Sequence, residues 1–200
     1  MEIHQFIKSR RSIRRYRDGA VPGDVLRRIL DSARWAPSAH NAQPWRFIVV
    51  RNPANKRRLA EEMGEAWEAD LSREGVPTSQ RRAEVEASIN FFESTPVLIV
   101  ACITMEDMHR YPDERRQRSE HLMAVQSLSA AIQNMLLTAH SLGIGACWRC
   151  APLFCQDVVR RVLNLPESFE PMAIIAMGYP LERPSPKPRM PLKNIVRFDR

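Results

Sequence analysis

Glycine is scarce in this chain, seven residues in 200, and the few present build no phosphate loop. GIGACW places glycines at 143 and 145, but the third position of a GxGxxG fingerprint is Trp148, and no GxxxxGK[ST] segment occurs. Any phosphate must therefore be held by side chains. Cysteine is also sparse: Cys102, Cys147, Cys150 and Cys155, too few for a disulfide framework in a chain of this size. CWRC has CxxC spacing, but a redox CxxC opens a helix after a strand, and zinc would require a second close ligand pair. Small residues in a turn lining a pocket is the plainer reading, with a thiol-redox or metal role as the competing one. No apolar run approaches the roughly 20 residues of a membrane span. MEIHQFIKSRRS has no apolar signal core, so the expected compartment is the cytoplasm, with no membrane partner.

Charge of one sign is not concentrated either. Thirty Lys and Arg against twenty-three Asp and Glu give +7, but arginines alternate with glutamates, as in RRAEVEAS. That is the pattern of a solvated face, and no nucleic-acid partner is expected. The cluster that stands out is RRSIRRY, residues 10–16, which calls for a different anion.

The chain reads as one α+β domain over residues 1–200. Ile3, Phe6 and Ile7 have helical spacing, and Val25, Leu26, Ile29, Leu30 and Ala33 form an apolar stripe behind Pro22. Residues 54–71 and a segment ending near Glu93 are also expected to be helical. RFIVV, VLIVACI (97–103) and MAIIAMG (172–178) read as strands, the second central and covered on both faces. Residues 121–142 are apolar on nearly every face, which suggests a subunit interface as well as a core. GIGACWRC predicts a turn and short strand, and residues 152–164 a helix. From Pro180 the tail should run extended over a surface.

Arg10, Arg11 and Arg14 with Ser12 are the side chains suited to a phosphate, since guanidinium groups give bidentate, charge-assisted bonds. RRSIRRY, then PSAHNAQPW before a strand, then a helix ending LGIG, then PKPRMP follow in that order. This order resembles the FMN-dependent nitroreductase superfamily over essentially the whole chain. The resemblance implies a central mixed β-sheet flanked by helices and an intertwined homodimer with an extended C-terminal tail. It also implies FMN bound at the subunit interface. Arg10, Arg11, Ser12 and Arg14 would contact phosphate, ribityl and pyrimidine edge. Pro37, Ser38, Ala39 and Asn41 would approach the partner's flavin, Cys150 and Ala151 would pass near N5, and Lys187 with Arg189 would complete the phosphate site. Gln43 and Trp45 would instead fix the loop and pack the core. MGEAWEADLSREGVP, HRYPDERRQRSEHLMAV and GIGACWRCAPLFCQDVVRRVLNLPESFEP look more closely like the flavin domain fused to the coenzyme F420 γ-glutamyl ligase. That family implies reduction of a dehydro deazaflavin precursor.

The implied activity is hydride transfer from NAD(P)H through FMN to a nitroaromatic, quinone-like or other conjugated small molecule. The cofactor supplies the difficult step, so no catalytic side chain is assigned. His40 reads as a solvated loop residue, and His4, His109, His121 and His140 show no metal spacing, so no metal is expected. A flavin-binding carrier without turnover is the alternative from another class.

Overall fold

The computed structural model describes residues 2–199. Its frame is a four-stranded sheet in the order β1-β2-β4-β3, with β1 at Trp45–Val50, β2 at Val97–Ile103, β3 at Gly145–Arg149 and β4 at Glu170–Gly178. The helices are α1 (Ile3–Ser9), α2 (Gly23–Ala33), α3 (Pro53–Arg73), α4 (Thr78–Ser94), α5 (Glu114–Ser141) and α6 (Gln156–Leu163).

Strand alternation sorts the core into two halves. In β2, Val97, Ile99, Ala101 and Ile103 face one layer and Leu98, Val100 and Cys102 the other. The first layer carries Leu26 and Ile29 of α2 against Leu128, Ile132 and Met135 of α5. The second carries Leu59 and Met63 of α3, Phe92 of α4 and Val159 of α6. Every residue of β2 is buried, because helices cover both faces and strands flank both edges. Each such Leu or Ile side chain contributes about 1.5–3 kcal/mol through burial.

The helix starts follow from local chemistry. Asn52 accepts from the Ala54 and Asn55 amides and Pro53 fills the first turn of α3. Asp113 accepts from the Arg116 amide at the start of α5. The expected helix over 152–164 is a 3-10 turn at Ala151–Phe154 followed by α6.

One expectation is corrected. Among the described residues all three strand pairings are antiparallel, so the mixed character there is limited to one parallel bridge, Ser12 with Ala146. RRSIRRY supplies that bridge: it runs extended beside β3, with Ile13 N–H donating to the Ala146 carbonyl at 3.0 Å. Gly145 permits the approach, since a Cβ there would sit 2.8 Å from Ile13 Cγ2. α5 is long and apolar enough to cross a membrane by length and composition alone, a test that the core helix of a globular domain also passes. Ala124, Leu128, Ala131, Ile132, Met135, Leu136 and Ala139 pack inside this chain, whereas Leu122, Gln126 and Gln133 are exposed. Its apolar content therefore lies mainly on the core face, with Leu122 exposed on the other.

Candidate functional site

The extended path of RRSIRRY sets the site. Ile13 is buried against Gly145, which anchors the segment while its polar neighbours line a cavity of about 650 Å³. Arg10, Arg11, Ser12 and Arg14 line that cavity together with Lys187 and Arg189 of the tail and Gln133 of α5. Arg11 Nη1 is fixed by the Lys8 and Arg10 carbonyls at 2.7 and 2.9 Å. The Arg10 guanidinium has its pKa lowered, by burial first and then by Arg189 and Arg11. A cation held beside other cations in a partly desolvated cavity is poised for an anion.

The tail reaches this place through backbone contacts. Tyr16 bridges to Pro180, Arg17 N–H donates to the Tyr179 carbonyl at 2.8 Å and Leu181 N–H to the Arg15 carbonyl at 2.9 Å. Glu182 Oε1 accepts from the Arg14 amide at 2.8 Å. Tyr16 itself is held by its hydroxyl, which donates to the Ile13 and Ala176 carbonyls at 2.6 and 3.0 Å.

Arg14 also borders a second cavity, of about 440 Å³, between α3, α4 and the turn after β3. Cys150 and Ala151 lie on its wall with Met63, Trp67, Trp148 and Phe154. Trp148 Nε1 is buried there without a hydrogen-bond partner, and the Arg149 guanidinium stacks over Phe91 at 5.0 Å. A cavity lined by cations thus adjoins an apolar one at Arg14. Gln133, Trp148 and Met63 were not among the sequence candidates, because the first two carry no motif and Met63 reads as ordinary helix core.

Pro37, Ser38, Ala39 and Asn41 line neither cavity within one chain. Their loop is stiff and strained. His40, Asn41 and Gln43 have φ of 55°, 55° and 49°, the left-handed region that non-glycine residues seldom adopt. Ser38 Oγ accepts from the Gln43 amide at 3.1 Å, and the Ala39 amide donates to Ser127 Oγ of α5 at 3.2 Å. Trp45 is buried, as expected for a core anchor. His40 is exposed, as the solvated reading expects, and its Nε2 also lies 3.3 Å from Oε1 of the buried Glu120.

Three of the cysteines, Cys102, Cys147 and Cys155, carry little thiolate. Burial pushes the Cys102 thiol up to about 12 and that of Cys155 to about 11, and it also raises Cys147. Nucleophilic or redox work needs the thiolate, so three of the four are disfavoured. The Cys147→Ser, Cys150→Ser double variant is expected to keep at least about half its turnover in a flavin-saturated NAD(P)H assay, since the cofactor rather than a thiol supplies the redox step. Abolished turnover in a folded, flavin-loaded variant would restore the thiol-redox reading.

The Nitroreductase family model matches residues 7–179. A Methanothermobacter thermautotrophicus protein named "Putative NADH dehydrogenase/NAD(P)H nitroreductase" is 36% identical over 186 residues, 92% of this chain and 80% of that protein. The "NADH dehydrogenase" of Thermus thermophilus is 33% identical over 213 residues, 94% of this chain and 91% of its own. Among solved structures, a Desulfovibrio desulfuricans "putative nitroreductase" crystallised with FMN superposes with a TM-score of 0.76 at 28% identity, covering 100% of this chain and 98% of that one. A BluB-like flavoprotein from Clostridium difficile has the same fold, with a TM-score of 0.83 at 23% identity and complete coverage of both chains. Sequence match and fold agree, and the chain belongs to the nitroreductase family.

Proposed function

We propose that this protein is an FMN-dependent oxidoreductase that moves a hydride from NAD(P)H to a nitroaromatic, quinone-like or other conjugated acceptor. The observation that carries it is the cavity lined by Arg10, Arg11, Arg14, Lys187 and Arg189, joined at Arg14 to an apolar cavity. That donor set fits FMN. Five cations and the Ser12 hydroxyl suit a phosphate dianion and its polyol. The faces of Trp67, Trp148 and Phe154 suit a flat heterocycle, and Trp148 Nε1 is a donor still lacking a partner. FMN, when bound, would supply a hydride-accepting N5 and two-electron chemistry that no side chain here offers.

The chain's own residues would bind, orient and polarise. Arg10, Arg11, Lys187 and Arg189 hold the phosphate end. Arg14, shared by the two cavities, stabilises negative charge developing on the ring system. Cys150 and Ala151 set the wall at the reacting edge, and Met63 with Trp67 excludes water from it. Pro37, Ser38, Ala39 and Asn41 serve the flavin of a second copy, so the working unit is a homodimer. The exposure of Trp35 just before that loop and of Leu122 on the open face of α5 supports a partner there.

Steady-state NAD(P)H oxidation by the yellow protein tests the reading. Nitroaromatics, quinones and a dehydro deazaflavin precursor should be offered side by side, the last because of the resemblance to the flavin domain fused to F420 ligase. Acceptor-dependent oxidation at about 1–1000 per second is expected. A protein that binds FMN yet is not reduced by either nicotinamide would be a carrier instead.

A further inference from the structure

His40, His109 and Glu120 come from three separate parts of the fold. His40 lies in the loop between α2 and β1, His109 in the connection from β2 to α5, and Glu120 in the second turn of α5. One potential ligand atom from each lies within 4.8 Å of the other two. The imidazole rings of His40 and His109 are stacked, with centroids 4.0 Å apart at 23°. Glu120 is 2% exposed, and His40 is its one ion-pair partner among the described residues. Its Oε2 accepts from the His109 amide at 3.3 Å, which turns Oε1 toward the imidazoles.

We propose that these three side chains form a binding site for one divalent transition-metal cation of the zinc class. Two neutral imidazoles and a carboxylate are a borderline donor set, which suits zinc, cobalt or nickel rather than magnesium or calcium. The distances are compatible. Two ligands each about 2.0–2.1 Å from a tetrahedral zinc lie about 3.3 Å from one another, and His40 Nε2 and Glu120 Oε1 are already 3.3 Å apart. A buried carboxylate must be paired or must coordinate a metal, and the one ion-pair partner of Glu120 among the described residues is a half-exposed imidazole. His40 and His109 are themselves on the surface, so an ion has a path in and a solvent molecule can complete its shell. Bound metal would rivet the strained loop carrying Asn41 to α5 and to the connection before it. None of the three lines either cavity described above, and the test reads zinc binding, which fails or succeeds separately from flavin turnover.

Zinc titrated by calorimetry into the chelator-stripped, flavin-loaded protein is expected to bind one per chain with micromolar or tighter affinity. It should also raise the melting temperature. His109→Ala and His40→Asn should each weaken binding at least about tenfold, the scale for losing metal-site interactions. Asparagine tolerates the left-handed backbone at position 40, so that variant should stay folded. Glu120→Gln should also weaken binding; if it does not fold, the two histidine variants decide. His121→Ala, whose partner is Glu170, should bind zinc as the parent does. Absence of saturable binding below about 1 mM would overturn the site, as would losses smaller than tenfold in both histidine variants.

Discussion

Removing everything after Gly178 is expected to release both FMN and the partner subunit. The tail has no core of its own: Leu181, Met190, Leu192, Ile195 and Phe198 are all exposed. Apolar residues at that density on an otherwise charged tail mark a surface that packs elsewhere. β1 is a sheet edge, paired on one side by β2, and residues 195–198 crossing from a partner are suited to that open edge. Within the chain, the contacts of Tyr179, Leu181 and Glu182 hold the start of the tail to RRSIRRY. Truncation therefore deletes Lys187 and Arg189 and also loosens the segment carrying Arg14. The milder Lys187→Ala, Arg189→Ala double variant should weaken FMN binding roughly tenfold, exposed cations contributing less than buried ones. Its flavin-saturated turnover should change by less than about twofold, because phosphate contacts are made equally in ground and transition states. Sedimentation and FMN titration would read both results. A truncated protein with full FMN affinity and an intact dimer would show that the tail plays no part.

Arg10→Ala is the single substitution expected to cost most in cofactor binding. Arg10 is half-buried and close to Arg189 and Arg11, so a phosphate there makes a partly desolvated, charge-assisted bond. Losing it should remove about 1.5–3 kcal/mol, roughly 10- to 150-fold in FMN affinity. His140 reports on the same charge. Burial lowers its pKa, and Arg10 and Arg11 lower it further. An arriving dianion opposes those two cations, so FMN should raise the His140 pKa, and that rise should shrink in Arg10→Ala. An NMR titration of the histidine resonances measures it. A His140 pKa indifferent to FMN in the parent protein would place the phosphate elsewhere.

Much of the fold was legible because burial leaves a period. VLIVACI gave no polar alternation and lies at the covered centre of the sheet, while the stripe Val25 to Ala33 faces α5. Strand direction was not legible, since antiparallel and parallel neighbours bury the same side chains; the expected mixed sheet became an antiparallel one with a single parallel bridge. The cation cluster at 10–14 was visible as sequence, and its closure by Lys187 and Arg189 came from the resemblance. What brings them together physically is Gly145, which lets Ile13 approach β3, and the contacts of residues 179–182 with the backbone of residues 14–17. The left-handed turns at His40, Asn41 and Gln43 were hidden because none of the three is glycine. His40, His109 and Glu120 were hidden for a different reason: metal-ligand spacing is sought along the chain, and these three meet only across it.

The central claim is that this chain holds FMN, and titration of the flavin-stripped protein with FMN, followed by flavin fluorescence, tests it most directly. The expected result is saturable quenching at one FMN per chain, with the affinity falling in Arg10→Ala. A folded, colourless protein that leaves FMN fluorescence unchanged at every concentration would contradict it.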